Sequence, residues 1–169
     1  DTMTIVRGQD GTTGIAWNDA SVIEQRTPAV VLAALQEVVP NTVDNLGAGS
    51  TALDSLTTGV RNTAFGVNAL TATTIGTDNT AVGYAALDAN TTGVSNTAIG
   101  SNALGANTSG ARNTAIGKST MLFNTTGTDN TAVGAYALFH TTTGNYNTAT
   151  GANALVRTTT GDSNTATGS

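Results

Sequence analysis

Few side chains in this 169-residue chain could perform acid–base or nucleophilic chemistry. Two catalytic carboxylates must lie roughly 5 to 9 Å apart. Asp78 and Asp129 fall in the same column of the repeat described below but three repeats apart, which is about 14 Å at ordinary strand spacing. Asp88 and Asp162 have no partner by this reckoning. We therefore interpret these aspartates as solvated corner residues and predict that the chain is not an enzyme.

Other kinds of reactive or charged site are equally poorly represented. His140 is the single His and there is no Cys, so neither a His cluster nor thiolates can bind a metal. The Gly-rich stretches lack the Lys of a phosphate-binding loop. Six basic residues without a cluster do not suit phosphate backbones, and no stretch approaches the roughly 20 apolar residues of a membrane span. We expect no cofactor, no metal, no nucleic-acid partner and no membrane insertion.

The residues that recur are Asn, Ala, Gly and Leu, at a constant interval of seventeen residues. Asn-Thr-Ala begins each repeat, a Gly follows four residues after the Asn, and a Thr-Thr-Gly turn comes later. Stacked amide side chains can bond along an array, so we predict a structural ladder formed by Asn62, Asn79, Asn96, Asn113, Asn130, Asn147 and Asn164. Gly permits left-handed backbone, so we predict corners at Gly66, Gly83, Gly100, Gly117, Gly134, Gly151 and Gly168.

This period predicts a β-solenoid, or β-roll, over residues 45–169. Seventeen residues cannot hold a helix pair, whereas two short strands with two turns fit, and a degenerate first coil begins near Asn45. In a strand such as Asn79–Gly83, alternation separates Ala from the branched apolar residue. Either of those two sides could face the coil interior. Because both are largely uncharged, as in strands covered on both faces, we hypothesise that several chains associate, most simply as a homotrimer.

Residues 1–44 differ in composition and contain the only Trp and both Pro residues. Alternating Met3–Val6, an Asp-Gly turn and a run around Ile15 predict a small β-module, a β-meander, over residues 1–26. Thr27-Pro28 resembles a helix start, and Val31, Leu35 and Val38 recur at helical spacing. We expect a short helix and linker over residues 27–44. Its wide apolar surface could pack on the meander or in a parallel bundle around a three-fold axis.

A family resemblance is carried by both parts of the chain. The run Met3–Thr13 with Arg7-Gly8-Gln9, and the later Val22-Ile23-Glu24 with Arg26-Thr27, resembles a segment of bacteriophage tail-fibre and virion structural proteins. The Asn-Thr-Ala-x-Gly coils resemble phage fibre repeats and, more loosely, the heads of trimeric autotransporter adhesins. This resemblance implies a parallel homotrimer of β-rolls. The adhesin coils are usually shorter than seventeen residues, and no anchor or stalk is visible in this sequence.

The function that this resemblance implies is a structural and adhesive segment of a phage tail fibre or similar virion appendage. It would act as an extracellular, virion-surface spacer for host attachment, bound to its own copies and to other virion proteins. A host receptor or glycan would be contacted through parts outside this chain, and we expect this sequence to be a piece of a longer polypeptide. A bacterial cell-surface trimeric adhesin or filament is the alternative.

Two surface features leave further functions open. Phe139, His140 and Tyr146 interrupt the small-residue pattern and could stack on a sugar ring or fill a trimer interface. The Thr columns are similar to those of ice-binding solenoids. The paired Thr residues stand before a turn Gly, which is poor geometry for a flat face, so an ice- or glycan-binding solenoid is the less favoured interpretation.

Overall fold

The computed structural model describes residues 4–7, 13–16 and 44–168. The chain divides into two units, Asp1–Leu32 and Ala33–Ser169. In the first unit, strands β1 (Thr4–Arg7) and β2 (Thr13–Ala16) pair antiparallel, with Thr4 opposite Ala16. None of the described residues is helical. The helix predicted within residues 27–44, and the Val22–Glu24 part of the meander, lie outside the described residues.

The second unit is a parallel β-solenoid of 17-residue coils, as the repeat predicted. Each strand pairs in register with the strand seventeen residues later, so Thr80 lies opposite Thr97 and Ala81 opposite Ala98. The eight strands follow one another across the sheet in chain order. They are β3 (Leu46–Ala48), β4 (Thr63–Phe65), β5 (Thr80–Val82), β6 (Thr97–Ile99), β7 (Thr114–Ile116), β8 (Thr131–Val133), β9 (Thr148–Thr150) and β10 (Thr165–Thr167).

Each described coil contains one strand of three residues, so the expectation of two strands per coil was wrong. The rest of the coil consists of turns, yet its amides still bond to the neighbouring coil. The Leu87 nitrogen donates to the Ala103 carbonyl at 3.0 Å, and the Thr91 nitrogen donates to the Thr108 carbonyl at 3.0 Å. Hydrogen bonding between coils therefore does not require strand geometry, which is why seventeen residues suffice with a single strand.

One column of apolar residues, mostly Leu, lies at a turn in each coil and points its side chains into the core. Its members adopt left-handed backbone with φ between 50° and 53° and, except for Leu155, are almost fully buried. Left-handed backbone costs a residue with a Cβ roughly 1–2 kcal/mol, and burying a Leu side chain returns about 1.5–3 kcal/mol. The apolar side chain thus offsets the strain of its own turn. The column comprises Leu70, Leu87, Leu104, Met121, Leu138 and Leu155.

The Ala column faces the coil interior and the branched apolar column faces outward. Ala81 and Ala98 have no exposed surface, whereas Val82 and Ile99 are 37% and 40% exposed. The small Ala side chains leave room for the Leu column, which joins them in one core. The interior surface of each strand is therefore covered by its own chain. Only the outer surface of the strands remains as the uncharged face that motivated the homotrimer hypothesis.

The Gly after each strand is required by its backbone conformation and, except at Gly168, also by the close approach of the next coil. The predicted corner glycines, Gly66 to Gly168, have φ between 120° and 140°, which is accessible almost only to Gly. In addition, a Cβ on Gly83 would lie 2.7 Å from the carbonyl carbon and oxygen of Gly100. The coils therefore approach one another too closely at this corner for any side chain.

Candidate functional site

The seven Asn residues singled out in the sequence form a continuous ladder that starts one coil earlier, at Asn45, and is buried from Asn62 to Asn147. The Oδ1 atom of Asn79 accepts from the backbone nitrogen of Asn96 at 3.0 Å and from its Nδ2 atom at 3.2 Å. The Nδ2 atom of Asn79 donates to Asn62 Oδ1 at 3.1 Å and to the Gly93 carbonyl at 2.8 Å. Because both amide hydrogens and the oxygen are used, this side chain can be completely buried without cost from unpaired polar atoms.

A second, shorter Asn ladder was missed by sequence reasoning. Asn107 donates from Nδ2 to Asn90 Oδ1 at 2.9 Å, and Asn124 donates to Asn107 Oδ1 at the same distance. All three side chains are fully buried. The signal was present in the sequence as Asn-Thr preceding the turn Gly, but only three consecutive coils carry it, whereas Thr73 and Thr141 occupy the position in flanking coils.

This second ladder ends in an unsatisfied atom. The Oδ1 atom of Asn124 is buried and has no hydrogen-bond partner among the described residues. The next coil offers Thr141, whose hydroxyl donates to the Thr158 carbonyl at 2.9 Å instead. A buried polar atom without a partner costs about 1–3 kcal/mol, so the end of the ladder is a local weak point.

The aspartates do not form a catalytic pair in the described coils. Arg61 and Arg112 form bidentate ion pairs with Asp78 and Asp129, at 2.6 and 2.7 Å from the guanidinium Nε atoms. The hydrogen bond from Arg112 lowers the pKa of Asp129, and the one from Arg61 lowers that of Asp78. These exposed pairs between neighbouring coils were missed, although the Arg and Asp stand seventeen residues apart in the sequence.

Asp88 and Asp162, the other two aspartates singled out in the sequence, are also separate from any acidic partner in the described coils. Desolvation raises the pKa of Asp88, which is half-buried. Asp162 accepts from the backbone nitrogen of Asn145 at 2.6 Å through Oδ1. Each carboxylate therefore has an individual structural environment rather than a shared one.

The three residues predicted as a surface contact, Phe139, His140 and Tyr146, lie in two separate parts of the solenoid. Phe139 and His140 belong to an aromatic cluster with Phe123 and Tyr136, in which Phe123 stacks on His140 at 5.5 Å and meets Phe139 edge-on at 5.1 Å. The cluster borders an open recess lined also by Asn153, Val156 and Arg157. Tyr146, 64% exposed, instead occupies the corner column of Arg112 and Asp129. The three residues proposed from sequence as a surface contact are thus not one site.

The outer surface of the strands, hereafter the sheet face, is a regular two-column surface. One column contains the first residue of each strand, which is Thr in β4 to β10, and the other contains the third residue. No hydrogen bond from a strand Thr hydroxyl is found within coils 44–168, whereas turn residues such as Thr91 and Thr108 donate to the carbonyl of the next coil at 3.1 Å. The third-residue column reads Ala48, Phe65, Val82, Ile99, Ile116, Val133, Thr150 and Thr167.

Within the described ranges, no three His, Cys, Asp or Glu residues come close enough to hold a metal ion. The same part of the chain has no helix with the length and apolarity needed to cross a membrane. Comparison with protein-family models, with curated proteins and with solved structures gives no match. The features that remain for a functional interpretation are therefore the ladders, the aromatic cluster and the sheet face.

Proposed function

We propose that this chain is a structural fibre segment, a stiff spacer in a phage tail fibre or similar virion appendage that holds an attachment part away from the particle. The observation that carries the proposal is the first Asn ladder, which runs without a gap from Asn45 to Asn164. Between its two half-buried ends this repeated column is buried and fully bonded, so its interior members serve shape rather than chemistry and leave no atom available to a ligand.

The ladder supports stiffness for a physical reason. Sliding or bending one coil against the next would break backbone bonds and the two Asn bonds together. The buried side-chain oxygen of the Asn would then be left without a donor. Eight strands at about 4.8 Å spacing give a rod of roughly 34 Å. In stacked repeats each unit contacts only its neighbours, so length can be extended without changing the cross-section.

The proposal includes assembly as a parallel homotrimer, with the aromatic cluster as the contact between chains. The cluster extends over neighbouring coils. Phe123 stands in a column that is occupied by the small residues Ala72, Ala89 and Ala106 in the preceding coils. Phe123 is 43% exposed, and aromatic side chains of this kind are enriched in the centre of protein interfaces. Parallel chains in the same register would bring three such clusters to one level of the fibre.

Gold-labelled antibodies against residues 45–169, applied to purified particles and to the cells that produce them, test the assignment by electron microscopy. We expect gold on particle fibres at a constant distance from the particle body. Gold on the cell envelope with none on particles would contradict the virion assignment and support the bacterial adhesin or filament instead.

A further inference from the structure

The sheet face is periodic in two directions. From β5 to β10 the first residue of every strand is Thr and the third is Val, Ile or Thr. Neighbouring strands are about 4.8 Å apart, and alternate residues along a strand are about 6.6 Å apart. Neither column contains a charged residue between Leu46 and Thr167. The face is thus a uniform grid of methyl and hydroxyl groups.

The hydroxyl groups of this grid are available to an external partner. The turn hydroxyls of Thr91, Thr108 and Thr125 are engaged with the next coil at 3.1 Å. The strand hydroxyls have no such bond in the described coils, and their residues are half-buried or exposed. The paired Thr residues before the turn Gly do not belong to this grid, which is formed by the separate strand Thr residues.

The buried side of the strands also holds the grid rigidly in place. From β4 to β9 each strand Thr stands between a buried Asn of the ladder and a buried Ala of the core; in β6 these are Asn96 and Ala98, both with no exposed surface. The register is fixed by parallel pairing on both sides, as between Thr97 and Thr114. Water bound by successive hydroxyls would therefore be held at the spacing of the strands, with the methyl groups limiting its other orientations.

The size and composition of the face decide what it can bind. Eight strands and two columns give a surface of about 34 by 10 Å, or roughly 350 Å², less than half of the about 800 Å² per partner in a standard protein interface. It has no charge for an ionic ligand and a single aromatic residue, Phe65, for stacking. An ice surface needs neither charged nor aromatic residues for binding, because it can form many identical weak contacts with the grid.

We propose that the sheet face binds ice. Water ordered on the grid would carry the constant spacing of the strands and of alternate residues along them, and such a periodic layer can be continued by a growing ice crystal. None of the members of the aromatic cluster belongs to a strand of the sheet face. Assembly through that cluster leaves the sheet face open, and ice binding does not depend on the fibre assignment.

The test compares single bulky substitutions on the sheet face with matched substitutions at the turn. Thr97→Tyr and Thr114→Tyr each put a ring on the grid, and Thr92→Tyr and Thr126→Tyr put the same ring at exposed turn positions. Inhibition of ice recrystallisation by the whole chain is measured at micromolar concentration, with circular dichroism and melting temperature to verify folding. We expect activity in the wild type, a loss of at least tenfold in both grid variants and unchanged activity in both turn variants.

Three results would overturn the inference. One is a folded wild-type chain without activity, and another is an equal loss in grid and turn variants. The third is a wild-type oligomer in sedimentation that the grid variants dissociate, because the face would then be covered by a second copy of the chain.

Discussion

The side-chain oxygen of Asn96 accepts two hydrogen bonds from Asn113, one from the backbone nitrogen at 3.0 Å and one from Nδ2 at 3.2 Å. One atom thus fixes both the backbone and the side chain of the residue seventeen positions later. Because Asn113 repeats the arrangement towards Asn130, the register of each coil is transmitted to the next. The solenoid is therefore held together by identical local contacts.

Removing one member of this ladder should be costly. Asn96→Ala leaves the buried backbone nitrogen of Asn113 without its acceptor. It also removes the 2.8 Å bond from Asn96 to the Gly110 carbonyl, which keeps only the 3.1 Å bond from Asn107, and it leaves a cavity in the interior. We expect a loss of about 3 kcal/mol in the free energy of unfolding, measured by urea titration. Thr126→Ala, at an exposed turn position, should change it by less than about 0.5 kcal/mol. Equal stability of the two variants would show that the ladder is dispensable.

Extending the second ladder should stabilise the protein. In Thr141→Asn, the new Nδ2 can donate to the unpaired Asn124 Oδ1 and to the Gly144 carbonyl, at the loss of the bond from Thr141 to Thr158. We expect a gain of about 1 kcal/mol in the same titration. Thr158→Asn is the control, because the coil before it presents Thr141 rather than an Asn. A gain in the control equal to that at position 141 would contradict this explanation.

Substitutions at two corner glycines can separate the energetic cost of backbone strain from the cost of a steric clash with the next coil. Gly83 and Gly168 both have positive φ, 137° and 121°, but a Cβ on Gly168 would meet no atom within 4 Å. Gly83→Ala should cost more than about 3 kcal/mol, whereas Gly168→Ala should cost about 1 kcal/mol from strain alone. Melting temperatures of the two variants provide the comparison. A Gly83 variant as stable as the Gly168 variant would disprove the close approach of coils at that corner.

The proposed trimer makes a prediction that depends on the aromatic cluster. The double variant Phe123→Ser with Phe139→Ser should sediment as a monomer, whereas the wild-type chain should sediment as a trimer. Phe65→Ser is the matched control, since Phe65 is 58% exposed but lies on the sheet face. A monomeric wild type would contradict the trimer, and dissociation by the Phe65 change alone would place the contact on the sheet face.

The sequence predicted the solenoid because a strict period leaves few other structures for seventeen residues. The sequence could not predict which side of the strand faces the coil interior. Alternation places Ala81 and Val82 on opposite sides of the strand, but it does not say which side is buried. Sequence reasoning also missed the left-handed Leu104, since a large apolar residue signals burial and carries no signal for φ above zero. Asn107 was missed because its ladder covers only three coils, and the homotrimer stays a prediction.

The central claim, a stiff rod with one coil per seventeen residues, is tested most directly by distances between spin labels. The chain has no Cys, so Cys residues introduced at the exposed turn positions Thr58 and Thr160 would be the only labelling sites. Six coil spacings predict a narrow distribution centred near 29 Å, in samples diluted with unlabelled chain. Moving the first label to position 75 should shorten the mean by about 4.8 Å. A broad distribution, or a mean that does not shorten by one strand spacing, would contradict the account.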